Sequence, residues 1–148
     1  MNRSLLIGVG ALLLTAAASQ AKDQAQDIAA VQHVMDTYHH AVVTHDGPAL
    51  AALFIPQGSA WLNVSATEGK IRVGNYKDFA NLVATTHDNF DPQHSHVQIR
   101  SDGTIASVYF DFVFLVNGKA ENRGCETWQL VKGTDGWRIA AITYSSHR

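Results

Sequence analysis

The chain predicts an α+β domain: three helices from its N-terminal half pack into a curved antiparallel sheet, with an apolar pocket between them. Three observations point there. Apolar residues at helical spacing occur only before about residue 86. The last third instead carries four strand-like runs parted by Asp-Gly and Asn-Gly, the strongest short hairpin signals. Two of those runs extend to about a dozen residues, longer than a flat strand sustains, so they must coil or bulge and leave one face concave.

The first helix lies in "DIAAVQHVMDTYHHAVVTHD". Ile28, Val31, Met35, Tyr38 and Val42 recur at steps of three and four, with Val34 and Ala41 beside them. Gly47 and Pro48 should stop it. "PALAALF" follows as a short second helix with Pro48 in its first turn. "SAWLNV" reads as a strand and "ATEGKIRVG" as a loop or short edge strand. Asn75 is a good N-cap for a third helix that places Tyr76, Phe79, Leu82 and Val83 on one side. "DNFDPQ" reads as a loop. The strands are then "HVQIRS", "TIASVYFDFVFLV", "KAENRGCETWQLVK" and "WRIAAITYSS".

Alternation sorts the faces. Val108, Phe110, Phe112, Phe114 and Val116 share the expected concave side. Tyr109, Asp111, Val113 and Leu115 share the convex side, which is apolar enough to predict a homodimer through that face. Glu126 shares a face with Trp128 and Leu130. It either points into the apolar interior, where desolvation would raise its pKa, or reaches water near the strand's end. Tyr38 falls in the middle of the first helix's buried stripe, where its hydroxyl needs a partner.

Eight histidines invite a metal reading, four of them between His33 and His45. On a helical wheel His33, Asp36 and His40 fall within about sixty degrees of one another, opposite the apolar stripe. His39 lies at the edge of that wet side, and His45 near the apolar side at the helix end. They match no recognised signature, so neither a dedicated metal nor another cofactor is expected. His94 and His96 share parity with Gln98 and Arg100, opposite Val97 and Ile99, which predicts an outward or rim position.

The net charge of −2 with no basic block recommends no nucleic-acid partner. Residues 1–21 read as a signal peptide: Arg3, the apolar run "LLIGVGALLLTAAA", and small residues Ser19 and Ala21 before an expected cut. The run is short for a membrane span. The mature domain is therefore expected to be periplasmic or secreted, with no membrane anchor after cleavage. Cys125 is the single cysteine, so no intrachain disulfide forms. It is either a buried free thiol or the site of a bridge to another chain. Asn63 in "NVS" is a glycosylation acceptor only in a eukaryotic secretory pathway.

Two stretches, "TYHHAVVTHDGPALAALF" and "GCETWQLVKGTDGWRIAAITYSS", resemble the nuclear transport factor 2-like superfamily, in particular its SnoaL-like and ketosteroid-isomerase-like members. The resemblance covers about Ile28 to Ser145 and implies one domain over residues 22–148: a cone-shaped curved sheet around helices and an apolar pocket. It also implies roles for two residues. Tyr38 stands where the ketosteroid-isomerase-like group has its oxyanion-hole tyrosine. Glu126 stands where that group has a neutral aspartic acid, an enzyme long used to illustrate a carboxylic acid kept protonated by an apolar site. The group's general base would fall at Leu62, which cannot take a proton.

These readings converge on an exported domain that binds a small apolar or aromatic molecule among Tyr38, Phe54, Trp61, Phe79, Phe110, Phe112, Phe114 and Trp128. The alternative is an isomerase, dehydratase or similar enzyme in which Tyr38 and Glu126 stabilise an oxyanion and His45 or His94 moves the proton.

Overall fold

The computed structural model describes residues 8–147, with side chains from residue 21 onward. The expected leader, residues 1–21, thus lies almost wholly outside the described side chains, and residues 1–7 lie outside the described residues. The elements run α1 (Gly8–Val43), α2 (Gly47–Ala52), β1 (Ala60–Ser65), β2 (Ile71–Val73), α3 (Tyr76–Thr85), β3 (Phe90–Ser101), β4 (Ile105–Val116), β5 (Lys119–Gly133) and β6 (Gly136–Ser146). One curved, open sheet in the order β2-β1-β6-β5-β4-β3 holds all six strands. The sheet is not wholly antiparallel: β1 pairs parallel to β6, while its other four pairings are antiparallel.

The predicted stripe of α1 is the buried one. Val31, Val34, Met35, Tyr38, Ala41 and Val42 pack against Val108, Phe110, Trp128, Leu130, Ile139 and Ile142 of the sheet in a single core. At about 25 cal/mol per Å² of apolar surface, burying side chains of this size is the main stabilising contribution to the fold. What ends α1 differs from expectation. The stop comes at His45, not Gly47. His45 takes a left-handed conformation at φ 59°, donating to the Val42 carbonyl, while Asp46 N–H reaches back to Ala41. This is a Schellman cap with a histidine where glycine is usual. Gly47 serves packing instead: a Cβ there would lie 2.3 Å from the Ala80 carbonyl oxygen, so its bareness lets α2 seat against α3.

Asp46 caps α2 through the Ala49 N–H, and Asn75 caps α3 through the Lys77 N–H, both at 2.9 Å. The β4–β5 hairpin turns on Asn117 and Gly118, both at positive φ as the Asn-Gly signal requires.

The segment expected as the loop "DNFDPQ" is partly strand. Phe90 to Gln93 open β3, paired with Val116 to Val113 of β4. Phe90 and Pro92 bury inward between outward Asp91 and Gln93. Pro92 is tolerated because β3 is the sheet's edge, where a missing N–H breaks no second ladder.

Candidate functional site

Three bulges curve the sheet and set what its concave face offers. In β3 the register slips by one residue between Ser95 and Gln98, around His96 at φ 52°. In β5 Glu121 is the extra residue opposite Phe114 and Leu115. In β6 Ala140 is the extra residue opposite Gln129 and Leu130.

The first bulge overturns the expectation for His94. Ahead of the slip His94 falls in step with Phe90 and Pro92; beyond it Val97 and Ile99 take over the inward side. His94 therefore turns into the cone, its ring 4.6 Å from Phe110 and 6.5 Å from Tyr38. His96 alone points outward, bonded through Nδ1 to Asp111 at 2.9 Å. Asp111 also accepts from the half-buried Cys125 thiol on this convex side, as alternation predicts. His39 pairs with Asp91 at 3.0 Å and ties α1 to β3. Among the described residues no group of three His, Cys, Asp or Glu is placed to hold a metal ion.

Between α1, α3 and the sheet lies a cavity of about 550 Å³. Tyr38, Trp61, Phe79, Phe112 and Phe114 line it, together with Glu126. Phe54, Phe110 and Trp128, expected at the ligand, do not reach its surface: they are packed behind the wall as core, 2%, 0% and 0% exposed. Phe54 instead stacks on Tyr76 and Trp61. Trp128 still shapes the site from behind. Its ring centre is 4.9 Å from that of Tyr38, and its indole N–H donates to Glu126 Oε1. His45, the other proposed base, sits in the turn after α1 and is not part of the lining. Leu62, in the position of the missing base, faces away from the side that Trp61 presents to the cavity.

The lining also holds residues that the sequence reading missed. Phe90, Pro92 and Tyr144 complete the wall. Asn75, Asp78, Leu82 and Glu121 are exposed and mark the mouth, with Asn122 beside them. The β5 bulge explains why consecutive Glu121 and Asn122 both reach the opening. A signal for Tyr144 was present: in "WRIAAITY" the apolar spacing changes from two to three at Ile139 and Ile142, which is how a bulge reads in sequence. The apolar positions also change parity between Pro92 and Val97, the same sign on either side of His94.

Electrostatically the cavity is unusual for its buried groups. Burial pushes the Glu126 carboxyl up to about 7, against a smaller downward pull from the Trp128 N–H. Glu126 therefore keeps its proton well above the ordinary carboxylate range. Burial, and then nearby His39, lower His94 to about 4, with Asp36 and Asp91 pulling the other way, so its imidazole is neutral at pH 7. Tyr38 is raised well above its ordinary value by burial, then by Glu126 and Tyr144. A hydroxyl, a neutral imidazole and a carboxyl poised near neutrality therefore share one aromatic chamber, a set able to bind polar substituents and to move protons.

The chain belongs to the SnoaL-like domain family, whose profile matches residues 23–143. Solved structures show the same nuclear transport factor 2-like fold. One is an NTF2-like protein of unknown function from Shewanella baltica, 19% identical over 84% of this chain and 96% of that one, with TM-score 0.65. A candidate scytalone dehydratase from Novosphingobium aromaticivorans is 17% identical over 86% of this chain and 89% of that one, with TM-score 0.69. A candidate dehydratase of the NTF2-like family from Streptomyces avermitilis is 13% identical over 84% and 98%, with TM-score 0.67. At these identities the likeness is one of fold. No curated protein sequence matches the chain at a significant level.

Proposed function

We propose that this SnoaL-like domain is an exported, homodimeric protein that binds a small aromatic molecule in its cone. The observation that carries the reading is the cavity itself: aromatic walls enclosing a few convergent polar groups, Tyr38, His94 and Glu126, on a rigid sheet and helix. Export is supported by the leader-like residues 1–21. A dimer through the convex face is supported by Ile71, Val73, Ile105, Tyr109 and Val131. These are five of the seven exposed large apolar side chains among the described residues; alternation puts Ile105, Tyr109 and Val131 opposite the core-facing residues of β4 and β5, and Ile71 and Val73 belong to β2, which is exposed throughout.

Binding is tested by titrating the protein with naphthylmethanol while following tryptophan fluorescence, since Trp61 lines the cavity. The expected result is saturable quenching that Val116→Trp, which narrows the cavity from β4, weakens while far-ultraviolet dichroism is unchanged. Equal quenching in the narrowed variant would sink the reading.

A second reading, proton-transfer catalysis, is favoured by one observation: His94 lies inside the cone with Glu126 and Tyr38. In that reading Glu126, poised near neutrality, and His94 exchange a proton with the bound molecule, and Tyr38 donates to an oxygen that gains negative charge. Two of the structural relatives are candidate dehydratases, and dehydration needs an acid–base pair of this kind.

A further inference from the structure

The lining is one-sided in charge. Three carboxyl groups belong to it: Asp78 on α3 and Glu121 on β5, both exposed at the mouth, and the half-buried Glu126 farther in. Among the described residues no lysine or arginine lines the cavity, and its one imidazole, His94, is neutral at pH 7. The walls carry seven phenyl, phenol or indole rings. The faces of such rings are negative, so they attract a desolvated cation and repel an anion. A negative mouth with low-dielectric walls focuses the same preference outward, concentrating cations at the entrance. An anion entering would lose its water, meet no positive partner and sit beside a carboxyl group. A cation would meet ring faces on its way in and a carboxylate inside.

We infer that the preferred occupant is an aromatic amine held as its ammonium, with its ring among the aromatic walls and its charge at Glu126. This rests on the cavity being a binding site and adds the ligand's charge. The ammonium supplies the counter-charge that Glu126 lacks in the protein. The titratable groups that line the cavity with Glu126 are Tyr38 on α1, which it influences directly, His94 on β3 and Tyr144 on β6, with Asp78 and Glu121 farther out at the mouth. None of them is positive at neutral pH, so none competes for the carboxylate. An occupant that fixes Glu126 in its ionised form also releases a proton on binding, and binds more tightly as pH rises through the range in which Glu126 ionises.

Three probes of matched shape decide it: naphthylmethylamine, naphthylmethanol and naphthoate, each titrated calorimetrically into the full protein. The amine should bind about tenfold more tightly than the alcohol, and naphthoate should not bind. In Glu126→Gln the ratio of amine to alcohol affinity should collapse towards one, with the fold checked by dichroism. The amine's affinity should rise between mildly acidic and mildly alkaline pH in the parent and stay flat in the variant. An alcohol that binds as tightly as the amine overturns the inference and leaves the cavity reading standing. Naphthoate binding comparable to the amine's does the same. If none of the three binds, the cavity reading falls, and the inference with it.

Discussion

Glu126 and His94 share one chamber and are shifted in opposite directions by one cause, the loss of water. That gives the stability of the fold a distinctive pH dependence. In the unfolded chain Glu126 ionises near its ordinary 4.5, but in the fold it keeps its proton to about 7. The native state therefore binds more protons across that window, and stability falls as pH rises through it. His94 works the other way. The unfolded chain protonates it below 6.5 and the fold only near 4, so its contribution is present above 6.5 and lost as pH falls towards 4. Glu126→Gln removes only the first effect. The variant should gain on the parent by about 2 to 3 kcal/mol between pH 4.5 and pH 7, measured by urea denaturation across pH. A constant difference would mean that Glu126 is not desolvated as described. At this scale the sequence was partly legible. Tyr38 followed from helical spacing, and parity with Trp128 gave the inward position as one of two alternatives for Glu126, because both lie in regular stretches. His94 did not, because one extra residue at His96 reverses the face of everything before it.

Regular elements were readable where a local rule decides them: the stripe of α1, the Asn75 cap and the Asn-Gly hairpin. They were unreadable where tertiary packing overrides that rule. Phe90 to Gln93 carry turn-forming neighbours, yet pairing with β4 makes them strand. The parallel union of β1 with β6 joins residues too far apart in the chain for any periodicity to reveal. The end of α1 shows both effects. Gly47 looks like the stop, but the backbone needs its left-handed residue at 45 and its bare Cα at 47. His45→Gly should therefore stabilise the protein by about 1 kcal/mol, seen as a higher urea midpoint with an unchanged slope. The same variant should leave naphthylmethanol binding unaltered, since His45 lies outside the cavity. Weakened binding would return His45 to the site.

For the molecule as a whole, the concave face is filled by helices and the cavity, while the convex face carries Ile71, Val73, Ile105, Tyr109 and Val131 to solvent. Val73 is 81% exposed, a degree of apolar exposure that a second copy of the sheet would cover. The fold class was legible from element order and strand length; the cavity was not, because its volume depends on which rings close the wall and which lie behind it. Phe54, Phe110 and Trp128 became core, while Phe90 and Tyr144 joined the wall. This chamber is proposed to hold one small molecule in each subunit. The most direct test is native mass spectrometry of the protein purified from its own host, compared with Val116→Trp prepared in the same way. A dimer bearing one added small molecule per subunit is expected in the parent, and lower occupancy in the variant. Bare subunits in the parent, or an added mass at equal occupancy in the narrowed variant, would contradict it.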